Sequence, residues 1–166
     1  GIVADAQGKW SVPNIDMGNF ADSLTHTVTA IATSPGGAAS SPETNTFSVD
    51  KTPPKPHFSG FGKTQIITAE AAKNDVTFRG SSAEADTTLS ATWNGKPVPI
   101  SHTVGALWKV TVPAADIPPA PPNGTAKATL VVTVTDKAGN ATEISQDVTI
   151  QGAPAVTRQT TVNGKL

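Results

Sequence analysis

The stretch "KATLVVTVTDKAGNAT", residues 127–142, decides the class of fold. Leu130, Val132 and Val134 recur at every second position, the spacing that places side chains on one face of a β-strand. β-Branched Thr and Val fill the positions between them and suit a pleated surface. Asp136, Gly139 and Asn140 then end the alternation. Gly139 can supply a positive φ, and Asp and Asn bond their own backbone in turns. "TEISQDVTI" (142–150) takes up the strand again.

The same pattern occurs twice. "LTHTVTAIATSPGGAAS" (24–40) parallels 127–142, and "GKWSV" (8–12) parallels "ALWKV" (106–110), with Trp10 matching Trp108. "NTFSVD" (45–50) and "SQDVTI" (145–150) follow, then the proline-containing junctions "KTPPKP" (51–56) and "QGAPAV" (151–156). A period of about 100 residues built of short strands is the size of a β-sandwich module.

The expected fold is all-β, with immunoglobulin-like sandwich modules in tandem. Residues 1–50 match the C-terminal half of a module, 51–55 a linker, 56–150 a complete module, and 151–166 the start of a next module or a tail. A half-sandwich leaves an apolar sheet face and open edges, which is unfavourable alone. Another copy, a partner or the C-terminal tail would complete it, and a strand-swapped dimer is one such route. The alternative is that residues 1–50 pack onto the complete module.

Seven strands are expected in the complete module, in Ig lettering. They are A in 55–61, extended by 65–68, B in 75–80, C in 87–93, an edge strand in 96–101, E in 107–113, F in 127–135 and G in 142–150. Asn94-Gly95 signals a two-residue hairpin, since both positions of a type I′ turn need positive φ. Pro97 and Pro99 keep 96–101 at an edge, because proline donates nothing to a ladder. Trp108 is expected between the sheets, and Trp10 likewise.

Composition narrows the function. The net charge is −1, which gives no electrostatic case for nucleic acid or an anionic membrane. No apolar run reaches membrane-spanning length, and "GIVADAQGKW" at the start has no signal-peptide character. The chain reads as a piece of something longer. It has no cysteine, which fits a cytosolic protein or a bacterial surface repeat. The Thr, Ala, Val, Gly and Pro bias and the lack of Tyr favour the second. His26, His57 and His102 lack metal-ligand spacing, and no nucleophile or phosphate-loop motif is present. An enzyme is not expected.

The strand directions suggest one site. If A leaves the pole where the chain comes in, B returns to it, and so does F. Loops 81–86 and 136–140 then share that pole with the linker. Asp50, Glu84 and Asp136 converge there, with Asp86 able to replace or join Glu84 and Asn140 nearby. Oxygen ligands from several loops suit Ca2+, which would relieve their mutual repulsion and stiffen the junction. The plainer reading is that Asp136 only shapes a turn. The matching positions elsewhere are "SPGG" (34–37) and Gln151-Gly152, so the second junction is expected to be metal-free and looser. Trp93 beside the hairpin could stack a sugar or cap the sandwich.

"FSVDKTPP", "FRGSSAEADTTLSATWNG", "LWKVTVP" and "VTVTDKAGNATE" together resemble the bacterial Ig-like repeats of giant, non-fimbrial, type I-secreted surface adhesins. The resemblance covers essentially the whole chain, residues 1–50 as a partial copy. It implies an extracellular stalk of neighbouring modules on the bacterial surface, often calcium-stiffened between modules. Similar repeats also occur in other large secreted bacterial proteins, some linked to conjugation. Two functions follow: a spacer that carries a distal binding head, or a binding module that meets a host glycan, a receptor or another bacterial protein.

Overall fold

The computed structural model describes residues 2–12, 15–22, 24–60 and 64–156. The chain divides into two compact units, Gly1–Thr52 and Pro53–Leu166. Strands account for all its regular structure among the described residues apart from three short 3-10 turns.

In the first unit, β1 (Thr25–Ala30) and β2 (Glu43–Ser48) form an antiparallel pair. The register puts His26, Val28 and Ala30 on one face with Phe47, and Thr residues on the other. Phe20, His26 and Phe47 meet at ring-centroid distances of 4.9–5.5 Å. Trp10, expected inside a sandwich, is 54% exposed. Its counterpart Trp108 has a second sheet to lie under; the described residues of the first unit supply only the two-stranded one.

The second unit is a two-sheet sandwich. One sheet has the order β4-β11-β10-β6-β7, the other β3-β5-β9-β8. The strands are β3 (His57–Phe58), β4 (Thr64–Ile67), β5 (Val76–Ser81), β6 (Thr88–Trp93), β7 (Lys96–Pro97), β8 (Ile100–His102), β9 (Leu107–Val112), β10 (Thr125–Thr135) and β11 (Ala141–Gln151).

Two segments read as single strands are each divided between the sheets. The expected A strand begins as β3, antiparallel to β5, and continues as β4, parallel to β11; Phe61 lies outside the described residues. The expected edge strand begins as β7 beside β6 and ends as β8 beside β9. The chain crosses at Val98-Pro99, with Pro97 ending the first short ladder and Pro99 preceding the second. Asn94 and Gly95 take φ of 48° and 80°, as a type I′ hairpin requires.

The alternation read from the sequence builds the core. Leu130, Val132 and Val134 from β10 and Val148 and Ile150 from β11 face Phe78 of β5 and Trp108, Val110 and Val112 of β9, all at most 1% exposed. Burying each of these side chains is worth about 1.5–3 kcal/mol relative to leaving it in water.

Candidate functional site

Each pole of the second unit's sandwich is built from turn chemistry. At the near pole of the second unit, Asp136 sits at the end of β10, where the chain must reverse into β11. Its Oδ1 accepts the Asn140 backbone N–H and its Oδ2 accepts the Asn140 side-chain amide, both at 2.9 Å. The Asp136 N–H bonds the Asn140 carbonyl at 3.0 Å, and Gly139 takes a φ of 93°. The loop therefore folds its donors onto a buried carboxylate. Burial pushes the Asp136 pKa up, but bonds from the Asn140 side chain, its backbone and the Ala138 and Gly139 backbone outweigh that and hold it below the ordinary value.

The loops expected at this pole do meet. Lys137 Nζ pairs with Asp86 Oδ2 at 3.1 Å, tying the β10–β11 loop to the β5–β6 loop. Thr142 Oγ1 donates to the Pro54 carbonyl at 2.7 Å, fixing the incoming chain against the start of β11. Pro54 is fully buried. In the β5–β6 loop the buried Ser82 hydroxyl lies between the carbonyls of Glu84 and Ala106, and Glu84 itself is exposed. Ala83 and Asp86 both take positive φ, 66° and 60°.

Asp50 belongs to the first unit, where it is exposed and its Oδ1 accepts the Thr52 N–H at 3.0 Å. Within neither unit do three His, Cys, Asp or Glu gather as a metal-ligand set among the described residues. The residue that grips the linker is Asp22. Its Oδ1 accepts the Lys51 N–H at 2.6 Å and its Oδ2 accepts the Thr52 hydroxyl at 2.5 Å. Lys51 Nζ donates to the carbonyls of Gly18 and Phe20, at 2.8 and 2.6 Å. Sequence reading missed this clasp, since Asp22 lies 29 residues before Lys51 and no spacing rule links them.

At the far pole the departing chain is held in the same manner. Gly152 N–H bonds the Gly124 carbonyl at 2.9 Å, Asn123 N–H bonds the Ala153 carbonyl at 3.0 Å, and Asn123 Oδ1 accepts the Ala155 N–H at 3.0 Å. A Cβ on Gly152 would collide with the Pro121 carbonyl. Up to Ala155 the departing chain is therefore bonded to the end of the proline-rich loop, at Asn123 and Gly124.

Trp93 is 2% exposed and its Nε1 donates to the Asp116 carbonyl at 2.9 Å. It caps the sandwich and offers no face for a sugar. Among the described residues no helix is long and apolar enough to cross a membrane.

No protein-family model and no curated protein matches the chain. Solved structures similar to it include a Ca2+-stabilized adhesin that helps an Antarctic bacterium reach out and bind ice, at 22% identity over 92% of this chain and 36% of that one, TM-score 0.42. A 1.5-MDa bacterial ice-binding adhesin, described for host cell surface retention, matches at 22% identity over 78% and 41%, TM-score 0.36. The SGBP-B protein of the Bacteroides ovatus mixed-linkage glucan utilization locus, in complex with a mixed-linkage heptasaccharide, matches at 15% over 92% and 35%, TM-score 0.31. The chain thus spans 35–41% of the length of these solved chains.

Proposed function

We propose that the chain is a length of stalk: Ig-like modules in tandem, outside the cell, that hold a distal part of a large bacterial surface or secreted adhesin away from its anchor. The observation that carries this reading is where the second unit places its two ends. The incoming chain is fixed at Pro54 to the start of β11, and the departing chain is fixed at Gly152 just past its end. An eleven-residue strand separates them, about 35 Å. A module whose ends lie at opposite poles adds length with each repeat, and clasped ends limit the slack between repeats. The resemblance of the junction and turn motifs to type I-secreted adhesin repeats supports the same reading. Neighbouring modules are then the main partners, and no catalytic role is needed.

The competing binding-module reading loses its best platform with the burial of Trp93. A glycan array probed with the intact chain tests the choice. The spacer reading expects no reproducible sugar; a reproducible hit abolished by substitutions in the exposed part of the 115–122 loop would replace it.

Calcium at Asp50, Glu84 and Asp136 is the second reading, favoured by the meeting of the 81–86 and 136–140 loops. The fit is poor, because both Asp136 oxygens already accept Asn140 donors, and the spacer role is assigned without an ion. Calorimetric titration of the EDTA-treated chain with Ca2+, repeated on Asp136→Ala, separates the two. Binding lost in the variant would restore the metal site; absence of binding heat leaves Asp136 as a turn former.

A further inference from the structure

The first unit carries a groove of about 550 Å³ along β1, lined by Ile2, Trp10, Val12, Val28, Ala30 and Ile31 among others. Five of these are large apolar side chains between 43% and 57% exposed. That is an unusual concentration on one face of so small a unit.

The second unit shows what covers the equivalent face. β1 and β2 align by the internal repeat with β10 and β11. In the second unit β6 pairs along the other edge of β10, from Leu130↔Trp93 to Thr135↔Thr88, and β3, β5, β8 and β9 lie over its apolar face. In the first unit, among the described residues, β1 pairs with β2 alone. The groove also contains Trp10, the counterpart of Trp108, which in the second unit lies buried on the inner face of the covering sheet as a residue of β9.

We infer that the β1 edge and the Trp10–Val28–Ile31 groove form an acceptor site for the N-terminal half of an Ig-like module, of the kind residues 53–105 form in the second unit, supplied by the polypeptide on its N-terminal side. A C-type strand adds to the open edge of β1 by main-chain hydrogen bonds, and the sheet attached to it closes over Trp10. The inference goes beyond the stalk reading and does not need it. A half-module can be completed in a binder as well as in a spacer.

The test joins a copy of residues 53–105 ahead of Gly8, the position that aligns with Ala106, and compares this extended chain with the present one. Trp10 is read by acrylamide quenching, with Trp10→Phe in both chains to assign the signal, since Trp93 and Trp108 are buried. The expected result is a several-fold lower quenching of Trp10 in the extended chain, with new hydrogen-exchange protection at the β1 amides that do not face β2. Val28→Asp in the extended chain should reverse both. Quenching as strong as before in an extended chain that melts cooperatively would overturn the inference. A second measurement does not depend on the added half folding: Trp10→Ser in the present chain should shift the first unit's melting by less than about 2 °C. A larger loss, or Trp10 protection that rises with concentration together with a dimeric mass, would show the groove already filled by this chain or by a second copy, and would refute the assigned occupant.

Discussion

The indole of Trp108 lies on Gly80. The two residues are cross-strand partners in β9 and β5, and a Cβ added to Gly80 would overlap the Trp108 ring and the His57 carbonyl. The ring of Phe58 meets the indole edge-on at 5.4 Å. Among the described residues the Trp108 N–H has no acceptor, so shape alone seats the ring. Gly80→Ala should therefore destabilise the second unit by about 1–3 kcal/mol, as overpacking does, read by urea unfolding. The near-UV circular dichroism of the Trp band should change with it. An unchanged midpoint would mean the sheet relaxes freely around β3.

Gly152 is needed for a different reason. The Pro121 carbonyl comes so near that any side chain must push the departing chain off the 121–124 loop. Gly152→Ala is expected to raise hydrogen exchange at the amides of Gly152, Asn123 and Ala155 at least tenfold, with a smaller loss of global stability, since β10 and β11 remain paired through Val148. Uniform exchange across the variant and the parent would refute the far-pole clasp.

Asp136 sets an acid limit. Its pKa lies below the ordinary 3.8 in the folded chain, so the unfolded chain binds the proton more tightly. Its contribution is complete above about pH 5. It is lost as pH falls below 3.8 and through the lower folded value. Asp136→Asn should flatten the melting temperature against pH in that range while leaving other acid transitions in place. A parallel curve for the variant would show that the Asn140 bonds do not stabilise the ion.

Asp22 should govern access to the linker. With its carboxylate removed, the Lys51 N–H and the Thr52 hydroxyl lose their acceptor. Asp22→Ala should speed tryptic cleavage after Lys51 several-fold, whereas Asp22→Asn, which keeps one acceptor, should have a smaller effect. Equal cleavage in all three would assign the hold on the linker to Lys51 Nζ and the carbonyls of Gly18 and Phe20.

The long strands were legible because period-two alternation over 127–135 and 107–112 has one burial solution, and Asn94-Gly95 has one common turn. The sheet crossings were not. β3 and β7 are two residues long, too short to show a period, and only pairing partners reveal which sheet they join. The turn role of Asp136 could be read from its neighbours. The Asp22 clasp could not, since a side chain reaching backbone 29 residues away leaves no pattern. Trp10 misled because the repeat carried its identity but not the neighbouring strands that bury Trp108, β3 and β5.

The central claim, that the second unit is a spacer held between its poles, is tested most directly by pulling it from its two ends in a single-molecule experiment. Tension on Pro53 and Gly152 loads the parallel β4–β11 ladder in shear, so the bonds spanning Asp147↔Thr64 to Ile150↔Ile67 must yield together. The account expects one abrupt rupture that releases about 300 Å of chain, with Ile66→Pro lowering the force. Gradual lengthening at low force, with β4 peeling away and no single rupture, would contradict it.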